Sequence, residues 1–215
     1  MKPTRVRILD AAEQLMRTIG LARTTTKEIA RVAGCSEAAL YKHFDSKEEL
    51  FTFVLKERLP RLAPLLAELE SGGANGDGDG GGRDVEETLA EIARHAVAFY
   101  ASTFPIAASL FSDPALLRRH GEEMDRLDTG PHKPLDALAA YLREQRAAGR
   151  LRAAADPEAA AALFLGACFQ RAFLHAFAGE RPPSGPAAQP LGEFAAALAR
   201  TLLEGVGEPE APVRP

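Results

Sequence analysis

The chain has 215 residues, 46% of them apolar and 26% charged, with a formal net charge of −4. That mix excludes a collagen-like, fibrous or wholly disordered protein and leaves room for one or two domains with sizeable cores. No uninterrupted apolar run reaches the roughly 18 residues of a spanning helix, and Cys35 and Cys168 form neither a metal-ligand spacing nor a disulfide scaffold.

A soluble protein of a reducing cytoplasm is therefore expected, with no membrane partner, no metal and no cofactor. Met1 to Arg7 leads into charged helical sequence without the apolar core of a signal peptide. The charge is unevenly spread. Residues 1–60 carry 11 Lys and Arg against 8 Asp and Glu, whereas residues 61–215 carry 15 against 22. A basic head on an acidic body points to an anionic partner for the head, although an excess of three is also within sampling noise.

Nearly every periodic segment reads as helix, and period-two alternation is almost absent, so an all-α fold is expected. The first helix spans Pro3 to Ile19, with Leu9, Ala12, Leu15, Met16 and Ile19 on one apolar face and Gly20 as its stop. A short second helix has Thr25 as N-cap, Glu28 three residues on, and Ile29, Val32 and Ala33 inward; Gly34 closes it. Ser36 caps a third helix to about Phe44, with Leu40 and Phe44 inward, and Ser46 with Glu49 opens a fourth toward Leu69, interrupted or bent by Pro60 and Pro64. Ala33-Gly34-Cys35-Ser36 between two short helices has the size and turn chemistry of a helix-turn-helix, a unit that also serves as plain packing.

Seven of the thirteen residues of segment 71–83 are glycine, which predicts a mobile loop. Beyond it, helices are expected over Val85 to Tyr100, from Pro114 with Asp113 as N-cap, over Pro134 to Ala148, from Asp156-Pro157 to Ala178, and over Leu191 to Leu203. Pro105 is expected to interrupt before a short segment from Ile106 to Phe111. The segment 159–178 is apolar nearly all round, with Leu163, Phe164, Phe169, Phe173 and Phe177. Such a helix is buried on more than one side, and a second subunit is the natural cover in so small a body. A homodimer through a four-helix bundle of this helix and the alanine-rich last one is expected.

Thr24-Thr25-Thr26, Ile29-Ala30, Ala33-Gly34-Cys35-Ser36, Leu40-Tyr41-Lys42-His43-Phe44 and Ser46-Lys47-Glu48-Glu49-Leu50 stand at family separations. Over residues 5–55 the chain closely resembles the DNA-binding domain of TetR-family transcriptional regulators. The rest matches only in architecture, as an all-helical ligand-sensing and dimerisation domain. The implied division is a helix-turn-helix head over 1–50, a connecting helix over 51–70, a flexible loop over 71–83, a ligand-binding body over 84–205 and a disordered tail over 206–215. The resemblance implies a dimer on a palindromic operator in double-stranded DNA, released by a small-molecule effector and acting as a repressor.

For Tyr41 and His43 the resemblance implies phosphate contacts, which fix register without reading sequence; a surface aromatic packed on a neighbouring helix is the other reading. Lys47 lies in the first turn of the fourth helix, where free N–H groups also favour an anion. Thr25 and Thr26 can offer hydroxyl and N–H groups to phosphate, unless capping uses Thr25. Base reading falls to Glu37, Ala38, Ala39 and Lys42: the lysine to guanine, the alanines to a thymine methyl, and Glu37 either to a cytosine amine or to its own helix dipole. In the body, Phe99, Phe104, Phe111, Phe164 and Phe173 are candidates to line an apolar effector cavity or to be plain core. Gln170, Arg171 and His175 would meet an acidic or hydrogen-bonding ligand, or form a polar layer at the dimer contact. His95, His120 and His132 are expected to be solvated. No nucleophile elbow, P-loop, dinucleotide fingerprint or zinc-protease motif occurs, so an enzyme is not expected. A helical sensor or adaptor without DNA binding is the alternative.

Overall fold

The computed structural model describes residues 2–21, 23–58 and 84–205. The expected extension of the fourth helix to Leu69 with its prolines, the glycine-rich loop and the tail lie outside these residues. All the regular structure described is helical: α1 Thr4–Thr18, α2 Thr26–Ala33, α3 Glu37–Leu40, α4 Lys47–Arg58, α5 Val85–Phe111, α6 Pro114–Arg126, α7 Lys133–Ala147, α8 Pro157–Ala178 and α9 Leu191–Glu204, with a 3-10 turn over Gly185–Ala188. Of these residues, 2–58 and 98–134 belong to one compact unit and 84–97 with 135–205 to another.

The first unit is cored by Ile8, Leu9, Ala12 and Met16 of α1, Ile29 and Ala30 of α2, Leu40 and Phe44 around α3, and Leu50, Phe51 and Val54 of α4. Leu110 from the end of α5 and Leu116 from α6 complete it. Two inward assignments change. Val32 is 38% exposed because Ile29, Ala30 and Ala33 share the arc that faces the core, and position 32 falls outside that arc. Ile19 is equally exposed because it follows the last helical turn, and Ile8 and Ala11 supply the burial instead.

The helix boundaries follow local chemistry. The Thr25 hydroxyl accepts from the Glu28 N–H at 3.2 Å, and Gly34 closes α2 at φ +66, a conformation that disfavours a side chain. The Ser36 hydroxyl accepts from the Ala39 N–H at 3.1 Å. The third helix is shorter than expected. The His43 N–H donates to the Leu40 carbonyl only three residues back, so the helix tightens into a turn over residues 41–43. The Ser46 hydroxyl accepts from the Glu49 N–H, but the Glu49 carboxylate accepts from the Asp45 N–H rather than from that of its cap.

The expected break at Pro105 does not occur: α5 is one helix of 27 residues. A proline inside a helix costs about 3 kcal/mol. Burial of Leu110 in the core of the first unit opposes that loss. The Ser102 and Thr103 hydroxyls donate to the Phe99 and Tyr100 carbonyls three residues back, at 2.8 and 3.0 Å.

In the second unit, Asp156 caps α8 by accepting from the Glu158 and Ala159 N–H groups. By length and composition α8 is the one described helix apolar enough to cross a bilayer. Its Phe164, Leu165, Cys168 and Ala172 are buried within the unit. Leu163 is 71% exposed, Phe169 49%, Phe173 45% and Phe177 71%, forming with exposed Ala159, Ala162, Gly166 and Ala176 one uncovered stripe. A side chain at Gly166 would meet nothing within 4 Å.

Candidate nucleic-acid interface

The interface is built by burying one side of a short turn and leaving the other bare. Leu40 and Phe44 are 0% and 1% exposed and anchor the turn, as their four-residue spacing implies. Tyr41, Lys42 and His43 between them are exposed, with Glu37 and Ala38 ahead of them, while Ala39 is half-buried. Tyr41 is 47% exposed, so its phenol is not packed away on a neighbouring helix. A helix has no room to bury both faces of a four-residue element, and the core takes Leu40.

The threonines divide their work. Thr24 is buried and donates to the Gly20 carbonyl at 2.8 Å, a structural role. The Thr25 hydroxyl is taken by capping. The Thr26 hydroxyl donates to Glu37 Oε1 at 2.5 Å, joining the first turn of α2 to the first turn of α3. That pairing was not legible from sequence, since the two residues are eleven apart on different helices.

Lys47 occupies the first turn of α4 with its ammonium 5.1 Å from the Phe51 ring centre. Burial lowers its pKa below the usual lysine value; Glu48 opposes this and Arg119 adds to it. A cation held in that state gains from a nearby anion.

Three ion pairs hold α4 from both ends. Arg5 of α1 meets Glu57 through two hydrogen bonds and lies over the Phe44 and Phe53 rings at 5.4 and 5.1 Å. Arg119 of α6 donates to Glu48 at 2.9 Å, and Arg126 to Glu49 at 3.1 Å. The sequence reading missed all three arginines. The seven-residue spacing of Arg119 and Arg126, which puts them on one helix face, is the signal that was available.

His120 corrects an expectation. It is 4% exposed, and its Nε2 is buried without a hydrogen-bond partner. Its position on α6, one residue past Arg119, turns it inward instead of into solvent.

The candidate effector residues differ in burial and partners. Phe164 is fully buried core, Phe99 and Phe104 are half-buried, and Phe111 is 73% exposed. Gln170 is exposed, and Phe173 stacks on Phe177 at 5.9 Å on the uncovered stripe. Arg171 is buried, donates to the Gln189 carbonyl at 2.5 Å and lies 4.7 Å from the Phe194 ring, tying α8 to α9. Burial lowers its pKa, and the adjacent Cys168 opposes this. The His175 Nε2 is buried without a partner. Burial pushes the Cys168 thiol up to about 12, which disfavours the thiolate of a redox sensor. An open groove of about 560 Å³ between α7 and the following loop is lined by Ala140, Arg143, Glu144, Arg146, Ala147 and Ala153, none of them an expected ligand residue. Among the described residues no cluster of His, Cys, Asp and Glu is arranged to hold a metal.

Comparison with known proteins agrees with this geometry. Residues 8–53 match the family described as bacterial regulatory proteins, tetR family, and residues 87–204 match the AefR-like transcriptional repressor C-terminal domain. YvkB of Bacillus subtilis, an HTH-type transcriptional regulator, is 41% identical over 70 residues, 33% of this chain and 37% of that protein. The chain thus spans little more than a third of that curated relative. Among solved structures, Salmonella enterica GusR superposes with a TM-score of 0.66 at 24% identity, covering 94% of this chain and 96% of the other, a likeness of fold. FadR of Thermus thermophilus, a TetR family transcriptional repressor in complex with lauroyl-CoA, gives a TM-score of 0.58 at 26% identity, covering 98% and 99%. A capped helix-turn-helix with a bare polar turn, joined to an AefR-like helical domain, places this chain in the TetR family of bacterial regulatory proteins.

Proposed function

We propose that the chain is a ligand-responsive transcriptional repressor that binds a palindromic operator as a homodimer and leaves it when a small molecule binds. It acts by binding rather than catalysis, in the cytoplasm. The observation that carries this reading is the turn after α3, where Leu40 and Phe44 are buried and Tyr41, Lys42 and His43 face out. Tyr41, His43, Lys47 and the Thr25 and Thr26 backbone N–H groups meet phosphates; Glu37, Ala38, Ala39 and Lys42 meet base edges.

The uncovered stripe of α8, together with α9, forms the contact with a second subunit. Two heads then stand about 34–36 Å apart, one turn of duplex DNA. Arg119 and Arg126 couple α6 to the first turn of α4, beside Lys47. An effector that displaces α6 therefore moves a phosphate contact, and a coupling of about 1–3 kcal/mol gives a roughly 5–150-fold response. The likeness to a repressor solved with lauroyl-CoA supports an acyl thioester as the effector class.

Mobility shift on the DNA flanking the gene tests the reading. Binding is expected to weaken steeply with salt, and Lys47→Ala is expected to weaken it on every sequence and reduce the salt slope by about one. A Lys47→Ala protein with unchanged affinity and slope removes the phosphate assignment. Failure of the wild type to bind any flanking fragment, with or without acyl thioesters, returns the chain to a sensor without DNA binding.

A further inference from the structure

The Thr26 hydroxyl and the Glu37 carboxylate form the one described side-chain bond between α2 and α3. Glu37 is otherwise the member of the interface that electrostatics favours least, since a carboxylate among phosphates is repelled unless it accepts a hydrogen bond there. Capping does not need it: Ser36 already caps α3 through the Ala39 N–H. Glu37 is exposed, in the first turn of α3, on the same bare side as Ala38 and Lys42. One carboxylate oxygen, Oε1, accepts from Thr26, and among the described residues Thr26 is the side chain of α2 that the carboxylate meets.

We propose that Thr26 and Glu37 work as a readout couple: Thr26 holds the carboxylate in a fixed rotamer, and its second oxygen accepts from the exocyclic amine of a cytosine in the major groove. Cytosine is the base that presents an N4 amine donor there without an adjacent acceptor of its own. Glu37 is then a specificity-determining residue and Thr26 a positioning residue, not a phosphate contact through its hydroxyl. Fixing the rotamer before binding removes the ordering entropy that a free glutamate loses on the DNA. It also keeps the charge away from the flanking phosphates. The inference rests on the reading that the head binds duplex DNA and names what one of its residues recognises.

The test is selection of operator half-sites, randomised at each position, by the full-length wild type and the variants Glu37→Gln, Glu37→Ala, Thr26→Val and Thr26→Ser. The wild type is expected to prefer cytosine at one position of each half-site by roughly tenfold. Glu37→Ala abolishes that preference alone, and Glu37→Gln moves it toward a purine, whose N7 accepts from the amide. Thr26→Val weakens the cytosine preference several-fold with an unchanged salt slope, and Thr26→Ser restores it. A Thr26→Val protein that keeps every base preference while losing affinity by the same factor on all sequences overturns the proposal, because Thr26 is then a phosphate contact through its hydroxyl. A Glu37→Ala protein that binds all sequences more tightly by the same factor overturns it as well, because the carboxylate then only repels. Selection of no duplex at all by the wild type is a different failure, that of the DNA-binding reading itself.

Discussion

Arg5 and Glu57 stand 52 positions apart in the chain and meet through two hydrogen bonds of 2.9 and 2.6 Å, with the guanidinium laid over Phe44 and Phe53. One side chain thereby joins α1, the turn that follows α3, and the far end of α4. Hydrogen bonding to Glu57 raises the Arg5 pKa against the opposing effect of burial, so the guanidinium keeps its charge in the pair.

Arg5→Ala removes both hydrogen bonds and both ring contacts without touching a proposed DNA contact. The pair is about a third exposed, so the loss in head stability is modest, about 1 kcal/mol. Operator affinity is expected to fall several-fold because Phe44 and the adjacent His43 lose their support, while the slope of log affinity against log salt stays at the wild-type value. Glu57→Gln gives the same pattern more weakly. Titrating each variant across a salt series checks this; a shallower slope for Arg5→Ala shows that the arginine itself meets a phosphate.

His120 makes stability depend on pH. Burial lowers its pKa below the ordinary 6.5, with Glu48 and Glu123 opposing. The unfolded chain therefore takes up the proton first as the pH falls. Stability declines from about pH 6.5 downward and levels off once the folded imidazole is also protonated, while above 6.5 the residue contributes no slope. His120→Leu is expected to lose this dependence and to be at least as stable at neutral pH, because it also removes a buried nitrogen without a partner. Denaturant unfolding of both proteins between pH 5 and 8, a range of about three units around the histidine value, shows whether the difference between them grows on acidification. An unchanged difference across that range contradicts the assignment.

Phe173 lies in the C-terminal half of the uncovered α8 stripe and is 45% exposed, so a charge there is expected to leave the folded chain intact. Phe173→Asp is expected to sediment as one chain of 23.0 kDa, with wild-type helix content, and to lose affinity for a palindrome while still binding a half-site weakly. Retention of a two-chain mass moves the dimer contact to another face.

Much of this architecture was legible in the order of residues. The caps Thr25, Ser36, Ser46, Asp113 and Asp156 all accept from the N–H groups their positions imply, because a hydroxyl or carboxylate at a helix start reaches only its own first turn. Leu40 and Phe44 were readable as anchors, and Tyr41, Lys42 and His43 as outward residues, because helical periodicity separates the two sets. Tertiary structure decided what periodicity cannot carry. It ran α5 through Pro105, where burial of Leu110 acts against a local penalty, and it turned Val32 out and His120 in, since the width and direction of a buried arc depend on the neighbour. It also made the pairs Arg5–Glu57, Arg126–Glu49 and Thr26–Glu37, whose members are far apart or on separate helices. Local hydrogen bonding is written residue by residue, whereas the partner of a long side chain is chosen only when separate helices pack together.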